Sequence, residues 1–409
     1  MDLSRIDTQR RGTSLAATLA GAARPAPGDP PDGPVLRIDL DVVQERLRTL
    51  RAALPGVTVL YAVKANPATE VVAALAELTA NFDVASPGEI DLCLRLGIDP
   101  GRLSYGNTVK KERDIVDAVA AGVRRFTVDC AAELAKVVRA LAARPARPDD
   151  LAWVFVRVAT DGSGADWPLS KKFGCRPDEA LDLMTTTASA GLQVGLSFHV
   201  GSQQRSVEAW REPLGVVAGL AAAFCARGHR LAAVNLGGGL PTAYLEAVPP
   251  IAAYGAAIAA AIAAELGPDN GIDILVEPGR YLVGDAGVIS CEVVLVNDRA
   301  DDRGRRWVYL DVGRFNGLAE TLGESIRYRI STDRDGGPVG PVVLAGPSCD
   351  SVDVLYDTFE YQLPLALRAG DRVEIHATGA STASYASVGF NGFPPLRCEI
   401  ARSPAARAL

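Results

Sequence analysis

Lys64 ends an apolar run, Val57-Thr-Val-Leu-Tyr-Ala-Val63, and is followed at once by Ala65-Asn66-Pro67. The run reads as a buried strand, and the Asn-Pro behind it breaks that strand. An amine at the mouth of an apolar strand is easily desolvated, which lowers its pKa and frees it to attack a carbonyl. That is the chemistry of a Schiff-base lysine. A strand-end lysine reaching into water is the plain alternative, and for Lys64 taken alone it is the better one. Residues elsewhere in the chain have to decide between them.

Other groups with chemistry in them also stand at the ends of apolar runs: Asp83 with Ser86, then Asn107, Arg157, His199, the glycines 237, 238 and 239, and Glu277 with Arg280. Gly237-Gly-Gly239 lacks side chains, so its backbone N–H groups can approach a phosphate closely. Arg280 can pair with the same phosphate through two parallel bonds. A carboxylate such as Glu277 against a pyridine nitrogen keeps that nitrogen protonated and the ring electron-poor. Such a ring stabilises a carbanion at a substrate α-carbon, which is what decarboxylation requires. His199 can lie flat on the ring, and Ser202 can donate to the phosphate. Together with Lys64, these groups describe a site for pyridoxal 5'-phosphate.

Something must carry these residues to one place. From Leu36 to Arg280, short apolar runs (Val57–Val63, Phe82–Ala85, Leu103–Tyr105, Phe126–Asp129, Leu151–Val158, Val194–Val200, Leu231–Leu236, Ile272–Val276) alternate with amphipathic segments such as Thr69–Leu78, Lys111–Ala121, Ala132–Ala143 and Asp178–Ala190. That alternation predicts an α/β fold, a (β/α)8 barrel over residues 35–282, with active groups at the C-terminal ends of its strands. A doubly wound open sheet lacks support, since no Gly-x-Gly-x-x-Gly follows the first strand. Beyond residue 282 the texture changes. The runs Val288–Val296, Trp307–Val312, Ile326–Ile330, Val342–Leu344 and Val373–Ala377 follow one another across turn clusters, predicting a C-terminal mostly-β domain over 283–409. Val35–Ile38 is expected to join it as an extra strand.

The bulk composition excludes several classes. The 409 residues are 48% hydrophobic and 22% charged, with net charge -7 and dispersed basic residues, so no nucleic-acid partner is expected. Seven scattered cysteines and three histidines form no zinc or disulfide pattern, which points to a reducing cytoplasm and no metal. The alanine-rich Ala256–Ala264 is too short to span a membrane. Arg10-Arg11 ahead of Leu15–Ala23 has the outline of a twin-arginine export signal. Its alanine-rich apolar part, with Asp2 and Asp7 before it, fits a flexible leader over residues 1–34 better.

The motifs Tyr61-Ala-Val-Lys-Ala-Asn66, Phe82-Asp-Val-Ala-Ser86, Phe198-His-Val-Gly-Ser-Gln203, Leu236-Gly-Gly-Gly239 and Glu277-Pro-Gly-Arg280 resemble those of the alanine-racemase-like (fold type III) pyridoxal-phosphate decarboxylases. Gly346-Pro-Ser-Cys-Asp-Ser351 and Phe390-Asn-Gly-Phe393 narrow this to the ornithine/diaminopimelate/arginine decarboxylase group. The resemblance runs from about Val35 to Ile400, and its style is closest to the bacterial ornithine decarboxylases. It implies that Lys64 carries the cofactor and His199 stacks on its ring. Ser202, Gly237–Gly239, Gly279 and Arg280 would surround the phosphate, with Glu277 on the pyridine nitrogen and Asp83, Arg157 and Tyr385 among the cofactor neighbours. Cys349 of the second subunit of a homodimer would reprotonate the α-carbon, and Asp350 would bind the distal amine of the substrate. A basic L-amino acid, ornithine first, is the expected substrate, since an aspartate without an added cation prefers an ammonium.

Two departures matter. Ser381 stands in Gly379-Ala-Ser-Thr382 where the family usually has a tyrosine against the phosphate, and Tyr385 is nearby without being assigned that role. Val312 in Asp311-Val-Gly313 stands where an acid is found in eukaryotic-type ornithine decarboxylases, leaving Asp311 or Glu320 as substitutes in binding substrate. Lysine, diaminopimelate or a modified amino acid therefore stays open as the substrate. A racemase is disfavoured by Glu277, and a non-catalytic regulator by the retention of both Lys64 and the Cys349-Asp350 pair.

Overall fold

The computed structural model describes residues 33–144, 151–167, 171–268, 271–298 and 303–402. All but the last two residues of the expected leader, including its twin-arginine outline, lie outside the described residues. Strands are numbered here in chain order. Eight parallel strands close into a barrel in the order β2 (Thr58–Ala62), β3 (Asn81–Val84), β4 (Leu103–Tyr105), β5 (Arg125–Val128), β6 (Trp153–Arg157), β8 (Gln193–Ser197), β10 (Ala233–Asn235) and β11 (Asp273–Val276). The ring shuts where β11 pairs with β2, Leu275 opposite Thr58. Helices between the strands bury one stripe each. Val71, Val72, Ala74 and Leu75 form that stripe on Thr69–Glu77, and Ile115, Ala118 and Val119 on Glu112–Ala121.

Leu60, Phe155, Ala233 and Leu275 fill the inside of the ring, with Trp153 packed against them. Gly195 makes room for this plug, since a Cβ there would lie 2.5 Å from the Phe155 ring. The interior is thus a packed core, and the open space is left at the strand ends. A two-stranded antiparallel sheet, β7 (Ala165–Trp167) with β9 (Ser202–Gln204), lies at that end, where Trp167 and Ser202 line the open space.

The second sheet runs β14 (Ile330–Thr332), β17 (Arg372–His376), β12 (Gly287–Asn297), β13 (Arg306–Leu310), β15 (Val339–Ala345), β16 (Val354–Pro364). Two further strands join it: β1 (Val35–Asp39) lies antiparallel to β12 and parallel to β18 (Arg397–Ala401). From Val35 onward the chain therefore runs first through this sheet, then builds the barrel and returns. One expected strand is displaced. In the run Ile326–Ile330 only Ile330 is strand, because the Tyr356 hydroxyl accepts the N–H of Tyr328 (2.8 Å) and donates to the Ile326 carbonyl (2.9 Å), while the Tyr361 hydroxyl donates to the Tyr328 carbonyl (2.8 Å). Side chains, rather than a neighbouring strand, satisfy that backbone. Among the described residues, no helix is long and apolar enough to cross a membrane.

The sheet grips the barrel beside Lys64. The Asn66 side chain donates to the Gly379 carbonyl (2.9 Å), and the Ser381 N–H to the Ala65 carbonyl (2.8 Å). Gly379 permits this close crossing, since a Cβ there would sit 1.8 Å from the Val283 carbonyl oxygen.

Candidate active site

A cavity of about 420 Å³ opens at the C-terminal ends of the barrel strands, where it meets the β sheet. Lys64, His199, Ser202, Gly238, Gly239, Glu277, Gly279, Arg280, Ser381 and Tyr385 line it. Lys64 sits in a 3-10 turn, Val63–Ala65, held by the Asn66 N–H donating to the Val63 carbonyl (3.1 Å). The expectation of desolvation fails in one respect: Lys64 is exposed, because its turn looks into the open cavity and not into the barrel core.

Across the cavity His199 follows β8. Its Nδ1 accepts the Gly201 N–H (3.0 Å), which leaves the proton of the neutral ring on Nε2. Burial first, and then the charges of Arg157 and Lys64, hold its pKa well below the ordinary value, so the ring is neutral. The glycine turn fits closely beside it. Gly237 has φ +68°, and a Cβ on Gly238 would lie 2.7 Å from the Glu277 carbonyl oxygen and 3.0 Å from His199 Nε2. Backbone is therefore bared at the end of β10 because a side chain has no room there.

Glu277 is aimed by a residue that the sequence reading missed. Asn235, wholly buried at the end of β10, donates from Nδ2 to Glu277 Oε1 (2.5 Å) and accepts the Gly237 N–H on Oδ1 (3.0 Å). A polar residue closing the apolar run Leu231–Leu236 was the available signal. Asp83 is buried nearby, and its Oδ1 has no hydrogen-bond partner. Burial, and next the Glu277 charge, push its carboxyl well above the usual carboxylate range. Gly106 accommodates it, since a Cβ there would fall 2.0 Å from that oxygen. Arg157 stacks over Phe173 at 4.8 Å and lies within electrostatic reach of Glu277 and Asp83, behind the cavity wall. Ser86 and Asn107, the other strand-end polar groups, do structural work. Ser86 Oγ caps the helix Pro87–Arg95 by accepting the Glu89 N–H, and Asn107 donates to the Ala85 carbonyl (3.2 Å).

Arg280 is engaged within the protein itself. Its two-pronged bond goes to Glu320 (2.7 Å twice), while Ser202 Oγ and the Tyr244 hydroxyl take its remaining N–H groups. The three substrate-side residues are not brought to this cavity within one chain. Asp311 accepts the Glu292 N–H (2.9 Å) between β12 and β13. Cys349 and Asp350 lie in the loop after β15, where Cys349 is exposed and its N–H donates to Asn391 (2.8 Å).

The residues present suit a phosphorylated pyridine. Bared backbone, a hydroxyl, an aimed carboxylate and an exposed amine line one cavity, and a buried carboxyl with an orphaned oxygen lies within electrostatic reach of the carboxylate and the amine. Among the described residues, no cluster of histidine, cysteine or acidic side chains could hold a metal ion.

The family comparison agrees. Residues 40–284 match the model of the pyridoxal-dependent decarboxylases, pyridoxal binding domain. The chain is 35% identical over 367 residues to a lysine/ornithine decarboxylase of Selenomonas ruminantium, covering 88% of this chain and 87% of that one. It is 30% identical over 383 residues to an ornithine decarboxylase of Schizosaccharomyces pombe, with 90% and 84% covered. Among solved structures, the lysine/ornithine decarboxylase of Vibrio vulnificus in complex with cadaverine superposes with a TM-score of 0.79 at 32% identity, over 95% of this chain and 98% of that one. The chain belongs to the pyridoxal-dependent decarboxylases of the alanine-racemase-like fold. It is a carboxy-lyase that uses pyridoxal 5'-phosphate.

Proposed function

We propose that the chain decarboxylates a basic L-amino acid, L-ornithine before L-lysine, giving putrescine and carbon dioxide. The observation that carries the reading is the cavity in which Lys64 faces a Glu277 held in place by Asn235. Bound there, pyridoxal 5'-phosphate supplies an electron sink for the pair left on the α-carbon when the carboxylate departs. Lys64 would hold it covalently, and the neutral His199 ring would lie against its face. Ser202 and the Gly237–Gly239 turn would meet the phosphate, with Gly279 and Arg280 behind them and Tyr385 at the rim. Glu277 would hold the proton of the pyridine nitrogen.

The substrate end is completed from a second copy of the chain in a homodimer. Cys349 is exposed and Asp350 half-buried on a loop that does not line the cavity, which suits residues that serve a partner's site. Cys349 would return a proton to the α-carbon and Asp350 would accept the distal ammonium. Ornithine and lysine both present that ammonium, and the Selenomonas and Vibrio relatives carry both names, which favours lysine as the second substrate. Free cysteines suit a cytoplasmic enzyme. The test is carbon dioxide release from ornithine, lysine, arginine and diaminopimelate, with borohydride reduction and peptide mapping beside it. Turnover of ornithine with the label on Lys64 is expected. Turnover of none of the four, or a label on another lysine, refutes the reading.

A further inference from the structure

Arg280 carries five N–H donors, and the protein engages them all. Nε and Nη2 donate to Ser202 Oγ (3.1 and 3.0 Å), Nη2 and Nη1 to the Glu320 carboxylate (2.7 Å each), and Nη1 to the Tyr244 hydroxyl (2.6 Å). Arg280 and Glu320 are nearly enclosed, their side chains 6% and 5% exposed, yet both line the cavity. A carboxylate in the wall of a phosphate site opposes the ligand it is meant to receive. Its place needs a reason beyond packing, because a buried arginine could take its counter-charge from the phosphate itself.

We propose that Glu320 sets the strength of the phosphate grip by offsetting the charge of Arg280, so that the cofactor is held by the Ser202 hydroxyl and the glycine-turn N–H groups and not by a net positive field. The inference rests on the placement of the pyridoxal 5'-phosphate site given above. Burial works against the Arg280 charge, but Tyr244 and Glu320 outweigh it and keep the guanidinium firmly protonated. With Glu320 neutral, a buried cation would lack a counter-ion in the empty protein, and the phosphate would supply one on binding.

The experiment compares affinities of the apoenzyme for pyridoxal 5'-phosphate and for pyridoxal, which lacks the phosphate. In Glu320→Gln the phosphorylated form should bind about tenfold more tightly, the low end of what a unit charge a few ångströms away is worth. Pyridoxal should bind as in the wild type. Unchanged or weaker binding of the phosphate, or an equal change for both ligands, overturns the proposal. Tyr244→Phe removes one partner of the same guanidinium without altering charge, and should leave the preference for the phosphate within about twofold. A larger change there makes bonding geometry decisive and also overturns it, even if Glu320→Gln does not fold. A wild-type protein with no preference for the phosphorylated ligand refutes the site placement itself.

Discussion

Replacing Asn235 with Asp changes one polar group and leaves the shape alone. Asn235 is fully buried, with Glu277 Oε1 at 2.5 Å from its amide nitrogen and the Gly237 N–H at 3.0 Å from its carbonyl oxygen. Aspartate keeps the acceptor for Gly237 and exchanges the amide donor for a second carboxylate oxygen facing Glu277. The lost charge-assisted hydrogen bond is worth about 1.5–3 kcal/mol. Two carboxylates at that distance also cannot both ionise, so the pair takes up a proton. A shared proton restores a donor between them. The folded-state pKa of the pair is thus raised above its unfolded value, so Asn235→Asp should approach wild-type stability at low pH and fall behind as pH rises. At pH 8 the melting temperature should be a few degrees lower. Activity should run the other way and be lowest at low pH, because a Glu277 that shares a proton no longer holds one on the pyridine nitrogen. Thermal melts of the apoenzyme from pH 5.5 to 8.5, with carbon dioxide release over the same range, make the test. A melting gap that is the same at every pH, or wild-type activity at pH 5.5, refutes the reasoning.

Asp83→Asn should stabilise the apoenzyme at pH 7–8 while lowering activity. An acid whose folded pKa is raised costs stability as pH climbs above its unfolded value, and the amide removes that cost. A variant no more stable than wild type at pH 8 would contradict this, as would a margin that persists at pH 4. Inactive Lys64→Ala and Cys349→Ala proteins, mixed and allowed to exchange subunits, should recover about a quarter of wild-type activity, because half the dimers are mixed and each then has one intact site. No recovery despite demonstrated exchange would mean that the two residues serve the same subunit's site.

The sequence by itself determined the barrel, the order of its strands and the identity of the groups at their ends. Apolar runs such as Leu103–Tyr105 and polar punctuation such as Lys64, Gly237–Gly239 and Glu277 are local signals, and a barrel brings strand ends together whatever the details. The β domain was legible as a texture but less so strand by strand. The run at Ile326 is strand only at its end because tyrosine hydroxyls from β16 replace the ladder, and no simple apolar run marks that 11-residue strand itself. Tertiary structure alone decided how the end groups are paired. Asn235 aims Glu277 across 42 positions, Glu320 takes Arg280 across 40, and Asp311 turns to Glu292, away from the cavity. The exposure of Lys64 was decided there too, since it depends on where the sheet meets the barrel mouth. Hydrogen bonds and charge pairs are fixed by ångström-scale distances between strands far apart in the chain, and neither hydrophobic periodicity nor motif spacing carries that information.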